Sequence, residues 1–171
     1  LYANKASDSL FKEDMFGFAQ DINNASRISQ DMNYRVYILA VNVPLAILDF
    51  KKGNIEEDDA LQLYNQAKGY MSRAMELNPQ SGVVYYYLGK LQTMMPPQFL
   101  PKEDMDAQSY FKQAILHDKT HYASRLALLK IMTERGDSLA SRLEMMREGE
   151  NFTYNMEGAG AYYAALGHLY L

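Results

Sequence analysis

The sequence predicts an all-α protein built from helical hairpins, and three observations carry that prediction. Ala and Leu number 18 and 20, against 5 Val, 7 Ile and 4 Thr. Ala and Leu lose little on entering a helix, whereas β-branched side chains suit pleated surfaces. No run alternates apolar and polar residues between hairpin turns. Two sets of positions also recur with one shift: Ala67, Met71 and Ala74 return as Ala107, Phe111 and Ala114, and Leu88 and Leu91 return as Leu128 and Ile131, each 40 residues later. The helix pattern is small–x3–large–x2–small, which puts small residues on one face and lets two helices approach closely.

The elements follow in order. Residues 3–11 and 14–29 are expected as a first helix pair, and 33–50 as a third helix kinked at Pro44. In Gly53-Asn54-Ile55-Glu56-Glu57, Asn54 caps a helix and Glu57 reaches back to its amide. That helix runs over about 56–77 and ends before Pro79. Helices over 82–95, 103–117, 121–135, 138–148 and 159–170 complete the chain. Their breaks are Pro96-Pro97 with Pro101, Lys119-Thr120, Gly136-Asp137 and Gly149-Glu150-Asn151.

These residues resemble the tetratricopeptide repeat (TPR) family, whose period is 34 residues. Tyr85, Leu88 and Gly89 match its helix A, with Gln92 where the family prefers Tyr. Ala67, Met71, Ala74 and Pro79 match helix B, as do Ala107, Phe111 and Ala114, with Lys119 replacing the terminal Pro. Tyr163, Leu166, Gly167 and Tyr170 form another helix A. The surplus of 40 − 34 = 6 residues fits the segment 95–102, expected as an exposed loop that tolerates shortening. The resemblance is strong over 60–118, moderate over 119–171 and weak before 60, where Val36, Leu39, Ala40 and Val43 fit a helix A and residues 1–30 match only through Ile22 and Ala25. It implies an all-α, right-handed solenoid of antiparallel helix hairpins in a single domain over 1–171. Its parts are a degenerate first hairpin over 1–30, repeats over 33–79, 82–119 and 121–149, and the start of a further repeat at 159–171.

Composition narrows the function. Apolar residues make up 48% and charged residues 22%, a globular balance. Net charge is −4 and the basic residues are scattered, so nucleic acid is not the expected partner. With no Cys, disulfides and thiolate chemistry are excluded. The longest apolar run, Tyr37 to Leu48, is too short for a bilayer span and is interrupted by Asn42 and Pro44, so membrane insertion by this chain is not expected. The start at Leu1 reads as that of a processed or excised fragment.

No catalytic constellation is expected, and no metal or cofactor. His117 and His121 are four apart, a spacing that presents two imidazoles on one helix face, but a turn separates them and no third ligand follows. They are read as polar turn residues, and His168 as a lone helix residue. Glu56-Glu57-Asp58-Asp59 lacks the spacing of a calcium loop and reads as acids at the positive end of a helix. Gly158-Ala159-Gly160 is too short for a phosphate loop.

The resemblance implies a non-catalytic scaffold whose A helices line a groove for a peptide or protein segment. The matching positions are Tyr34, Tyr37 and Val41; then Val83, Tyr86, Tyr87, Lys90 and Met94; then Ala123, Leu126, Lys130 and Glu134. Tyr85 is expected in the core. Tyr and Met, 14 and 11 in number, supply adaptable contact area. The carboxylate clamp of chaperone-binding members is absent, its positions holding Tyr37, Val41, Tyr87, Ala123 and Ala127. A second reading takes the chain as the soluble periplasmic tail of a larger membrane-embedded glycan ligase or polymerase, because the weak first repeat and Met146-Arg147-Glu148-Gly149 with Tyr154 resemble tails of bacterial O-antigen ligase-like proteins. A periplasmic or envelope location is favoured on that ground. Helix 159–170 is apolar on every face, so the chain is expected to continue beyond Leu171, to self-associate through 159–171, or to fold this helix back.

Overall fold

A computed structural model of the chain describes residues 33–51, 53–102, 104–153 and 159–171, with Gln20 and Asn24. The rest of the hairpin expected over 1–30 lies outside the described residues, as do Tyr154 and Gly158. Among the described residues there is no strand. The helices are α1 (Tyr34–Ala40), α2 (Asn42–Phe50), α3 (Glu57–Leu77), α4 (Gly82–Met94), a 3-10 turn (Pro97–Phe99), α5 (Ala107–His117), α6 (Tyr122–Arg135), α7 (Leu139–Thr153) and α8 (Ala159–His168). They belong to two compact units, Leu1–Gln80 with Lys90–Asp104 and Ser81–Gly89 with Met105–Leu171. Helix α4 contributes its first turns to the second unit and its last to the first.

In the first unit, the helix expected over 33–50 is two helices that part at Val41, three residues before the expected kink. Pro44 has no N–H to give the Ala40 carbonyl and its ring crowds that carbonyl, so the disturbance falls upstream of the proline. Asn42 Nδ2 covers carbonyls at the break, donating to Ile38 O at 3.1 Å and Leu39 O at 3.2 Å.

Helix α3 packs against α1, α2 and the 3-10 turn. Its start corrects the expected cap: Gly53 turns at φ 86°, and Glu56, not Asn54, precedes the helix, without a side-chain capping bond. Asn54 is used in that turn, its N–H on Lys51 O at 2.9 Å. Glu57, Asp58 and Asp59 fill the first turn, where the helix dipole favours carboxylates. Ala60, Tyr64, Ala67, Met71 and Ala74 form one stripe, none more than 2% exposed. That stripe is what the small–large–small spacing encodes.

The segment 95–102 is not the wholly exposed loop expected from the surplus residues. Met95 is 3% exposed, Phe99 is half-buried, and the 3-10 turn rests on α3. Just beyond it, Asp104 accepts hydrogen bonds from Tyr64 Oη and Lys68 Nζ. Gln92 Nε2 donates to the same Tyr64 hydroxyl at 2.7 Å. The residue that departs from the repeat pattern, Gln92, thus serves a buried polar chain that ties the inserted segment to α3.

In the second unit, α5 begins at Ala107, four residues later than expected, because Asp106 caps it by accepting from Ser109 N at 2.7 Å. The Ser109 hydroxyl and then this backbone bond hold the Asp106 carboxyl below the usual range. Phe111, Leu128 and Met132 form a core between α5 and α6. Helix α4 meets it through Gly89, where a Cβ would lie 2.7 Å from the Phe111 ring. Helix α6 closes at Gly136 (φ 81°), with Gly136 N on Thr133 O at 3.1 Å and Asp137 N on Met132 O at 2.9 Å, a Schellman turn.

The break expected at Gly149 does not occur: α7 runs through it to Thr153. Gly149 is a notch instead, since a Cβ there would lie 2.6 Å from Arg125 Cδ and Nε and from Tyr162 Oη. Met146, Tyr162 and Leu166 form the core of this end, and Tyr162 Oη donates to Met146 O. Burial pushes the Tyr162 phenol up to about 12. Helix α8 lays this inner face on α6 and α7, while Tyr163, Gly167 and Tyr170 remain exposed.

Candidate functional site

The groove positions inferred from the repeat register do not share one environment. In the first unit, Tyr37 is 8% exposed and Val41 is fully buried, so both are core residues and correct the expectation of a groove role. Register places a side chain on a helix, but how closely the neighbouring helix covers it is a tertiary matter. Tyr34, Lys90 and Met94 are half-buried there.

In the second unit, α4 carries Val83, Tyr86 and Tyr87 at spacings of three and four that keep Val83 beside both tyrosines. All three are half-buried. Tyr86 is tied inward: its ring lies 5.9 Å from Phe111 and 5.0 Å from His121, centroid to centroid. Burial raises its phenol, and the neighbouring Tyr87 and Tyr122 act in the same direction. Tyr87 meets the Tyr86 ring edge-on at 5.5 Å. On α6, Leu126 packs against the Met146–Tyr162–Leu166 core, so it contributes more to packing than to a surface. Ala123 is half-buried, and Lys130 and Glu134 are exposed with Nζ and Oε1 3.9 Å apart. Tyr85, expected in the core, is half-buried and stacks flat on His117 at 4.8 Å.

His117 ends α5 and His121 precedes α6, so the two imidazoles stand on opposite sides of a turn. His121 is the α6 cap: its Nδ1 accepts from Ser124 N at 3.3 Å and lies 2.8 Å from Ser124 Oγ. An accepting Nδ1 requires the neutral ring, and burial lowers the His121 pKa against the opposing pull of Asp118. Sequence reasoning missed this cap, because histidine is not among the usual capping residues. Its signal was Ser124 three positions on, at the start of an apolar run. Among the described residues, no group of three His, Asp or Glu side chains converges as a metal site, and no helix is long and apolar enough to cross a membrane.

Arg125, absent from the sequence-derived positions, is 3% exposed. It crosses the Gly149 notch and donates from Nη1 to Met145 O at 2.9 Å, while Nε has no hydrogen-bond partner. Burial pulls its pKa down, opposed by Tyr162 and Glu148.

No family model and no curated protein matches the sequence. Solved structures do. The chain is similar to TTC0263, a thermophilic TPR protein of Thermus thermophilus, at a TM-score of 0.69 and 15% identity, over 95% of this chain and 78% of that one. It is also similar to the MamA protein at a TM-score of 0.59 and 16% identity, over 99% of this chain and 79% of that one. With helices throughout the described residues, small residues at the helix contacts and these structural neighbours, the chain has the all-α helical-hairpin repeat fold of TPR-like solenoid proteins.

Proposed function

We propose that the protein is a non-catalytic interaction scaffold that seats a peptide or protein segment on the exposed face of its A helices. In the second unit that face comprises Val83 and Tyr87 of α4 with Ala123, Lys130 and Glu134 of α6. The observation that carries the reading is Tyr87: a large half-buried ring on a helix whose other aromatics are occupied, Tyr86 against the core and Tyr85 on His117. Tyrosine is enriched among binding hot spots, and charged residues such as the Lys130–Glu134 pair belong to the polar rim around them. Tyr34, Lys90 and Met94 are the corresponding candidates in the first unit. The fold supports a protein partner because stacked hairpins present extended faces to other chains.

Panning a random peptide library on the purified chain tests the reading. Selected peptides are expected to lose roughly tenfold or more in affinity, about 1.4 kcal/mol, on Tyr87→Ala and to keep it on Glu76→Ala, a change at an exposed position of α3 outside the candidate face. A library that yields no binder, or binders indifferent to Tyr87→Ala, overturns it.

A further inference from the structure

A cleft of about 380 Å³ opens on the second unit, lined by Lys112, Ile115, Leu116 and Lys119 of α5 and its following turn, Arg125 of α6 and Glu148 of α7. The Tyr87 face, drawn from α4 and α6, uses none of these residues. We propose that this cleft is a second docking site, for a carboxylate side chain flanked by an apolar residue in a partner protein's segment.

Three features of the cleft carry the proposal. Its lining sets three cations against one carboxylate, in a chain whose net charge is −4. Of the acids nearby, Asp118 accepts from Thr120, while Asp106 and Asp137, bonded to Ser109 and Arg135, also act through their charge on Lys112 at the rim, so the cation that carries most weight is Arg125. The second feature is Arg125. Its guanidinium is buried with Nε unpartnered, and only a backbone carbonyl takes Nη1. A guanidinium held out of water makes its strongest hydrogen bonds to a charged acceptor such as a carboxylate. Glu148 influences Arg125 electrostatically but forms no ion pair with it, so the cleft holds a cation that its own lining does not pair. The third feature is apolar. Leu116 is 67% exposed and Ile115 half-buried beside it, a seat for an aliphatic or aromatic neighbour of the carboxylate. A volume of this size falls in the range of ligand-binding clefts and suits one or two side chains. Gly149 shapes the site, since any larger residue there displaces Arg125.

From the scaffold reading the proposal takes only that the partner is a protein, and loss of binding at Tyr87 leaves it standing. The test is an NMR titration of the full chain with two capped peptides, acetyl-Gly-Leu-Glu-Leu-Gly-amide and its Gln analogue. The Arg125 Nε–H resonance and the Ile115 and Leu116 methyls are followed, with free acetate as a third arm. The Glu peptide is expected to shift all three groups with a Kd on the order of 1 mM or below, and the Gln analogue to bind roughly tenfold more weakly. Acetate alone is expected to shift only the Arg125 resonance, at far higher concentration. Lys112→Ala with Lys119→Ala, two changes at the rim of the cleft, is expected to weaken the Glu peptide while circular dichroism and melting stay unchanged. Equal binding of the two peptides, shifts confined to the Tyr87 face, or acetate binding as tight as the peptide would each overturn the proposal.

Discussion

Replacing glycine by alanine inside a helix gains about 1 kcal/mol of propensity, because the unfolded chain loses freedom and a methyl covers the backbone. Two glycines of this protein turn that gain to opposite net effects. Gly69 lies inside α3 on the exposed side, and a Cβ there meets nothing within 4 Å. Gly69→Ala therefore stabilises by most of that ~1 kcal/mol. Gly149 lies inside α7, and a Cβ there stands 2.6 Å from Arg125 Cδ and Nε and from Tyr162 Oη. None of these atoms moves without cost: Arg125 is anchored on Met145 O and Tyr162 on Met146 O. Overpacking costs ~1–3 kcal/mol, and weakening the two hydrogen bonds adds about 1 kcal/mol each. After the propensity gain is subtracted, Gly149→Ala destabilises by about 2–4 kcal/mol. Urea denaturation at 25 °C measures both variants, and thermal melting should show a shift of about 2–4 °C per kcal/mol for a chain of this size. A stabilised Gly149→Ala would show that the helix junction at Arg125 is not packed as described. Stabilisation by both substitutions would mean that propensity alone governs them.

The buried polar chain makes Asp104→Asn destabilising by ~1–3 kcal/mol, because Lys68 and the Tyr64 hydroxyl lose a charged acceptor; a melt unchanged from wild type would refute that role. Burial raises the Asp104 pKa, but its hydrogen bonds from Lys68 and Tyr64 outweigh burial and leave it lowered. Its stabilisation is thus present above the unfolded-state value near 3.8 and is lost as pH falls through the folded one, so Asp104→Asn removes a slope visible only in acid. His121 titrates with the same sign for a different reason: its native state favours the neutral ring, the unfolded chain takes up the proton first, and stability falls as pH drops below about 6.5. His121→Asn keeps an accepting cap and abolishes that part of the pH dependence; an unaltered profile between pH 7 and 5 would refute the assignment.

What the sequence determined by itself is the helix content, the breaks at Pro79, Lys119-Thr120 and Gly136, and the buried stripe through Ala67, Met71 and Ala74. These are local matters, set by propensity, by turn chemistry and by a spacing that places residues on one helix face. The inserted segment was also legible as a surplus over the repeat period. Its anchoring was not, because Tyr64, Lys68, Gln92 and Asp104 meet only after the chain folds over 40 residues of separation. Gly149 read as a helix stop because a glycine in sequence offers only its cost to a helix; the gain, room for Arg125 and Tyr162, comes from two other helices. The groove positions divided for the same reason. Register assigned Tyr37, Val41, Tyr86, Tyr87 and Leu126 to one kind of face, yet Tyr37 and Val41 are sealed, Tyr86 and Leu126 are drawn into cores, and Tyr87 keeps a half-open ring. A helical period says which way a side chain points. Only the packed neighbours decide whether another helix or a partner meets it there.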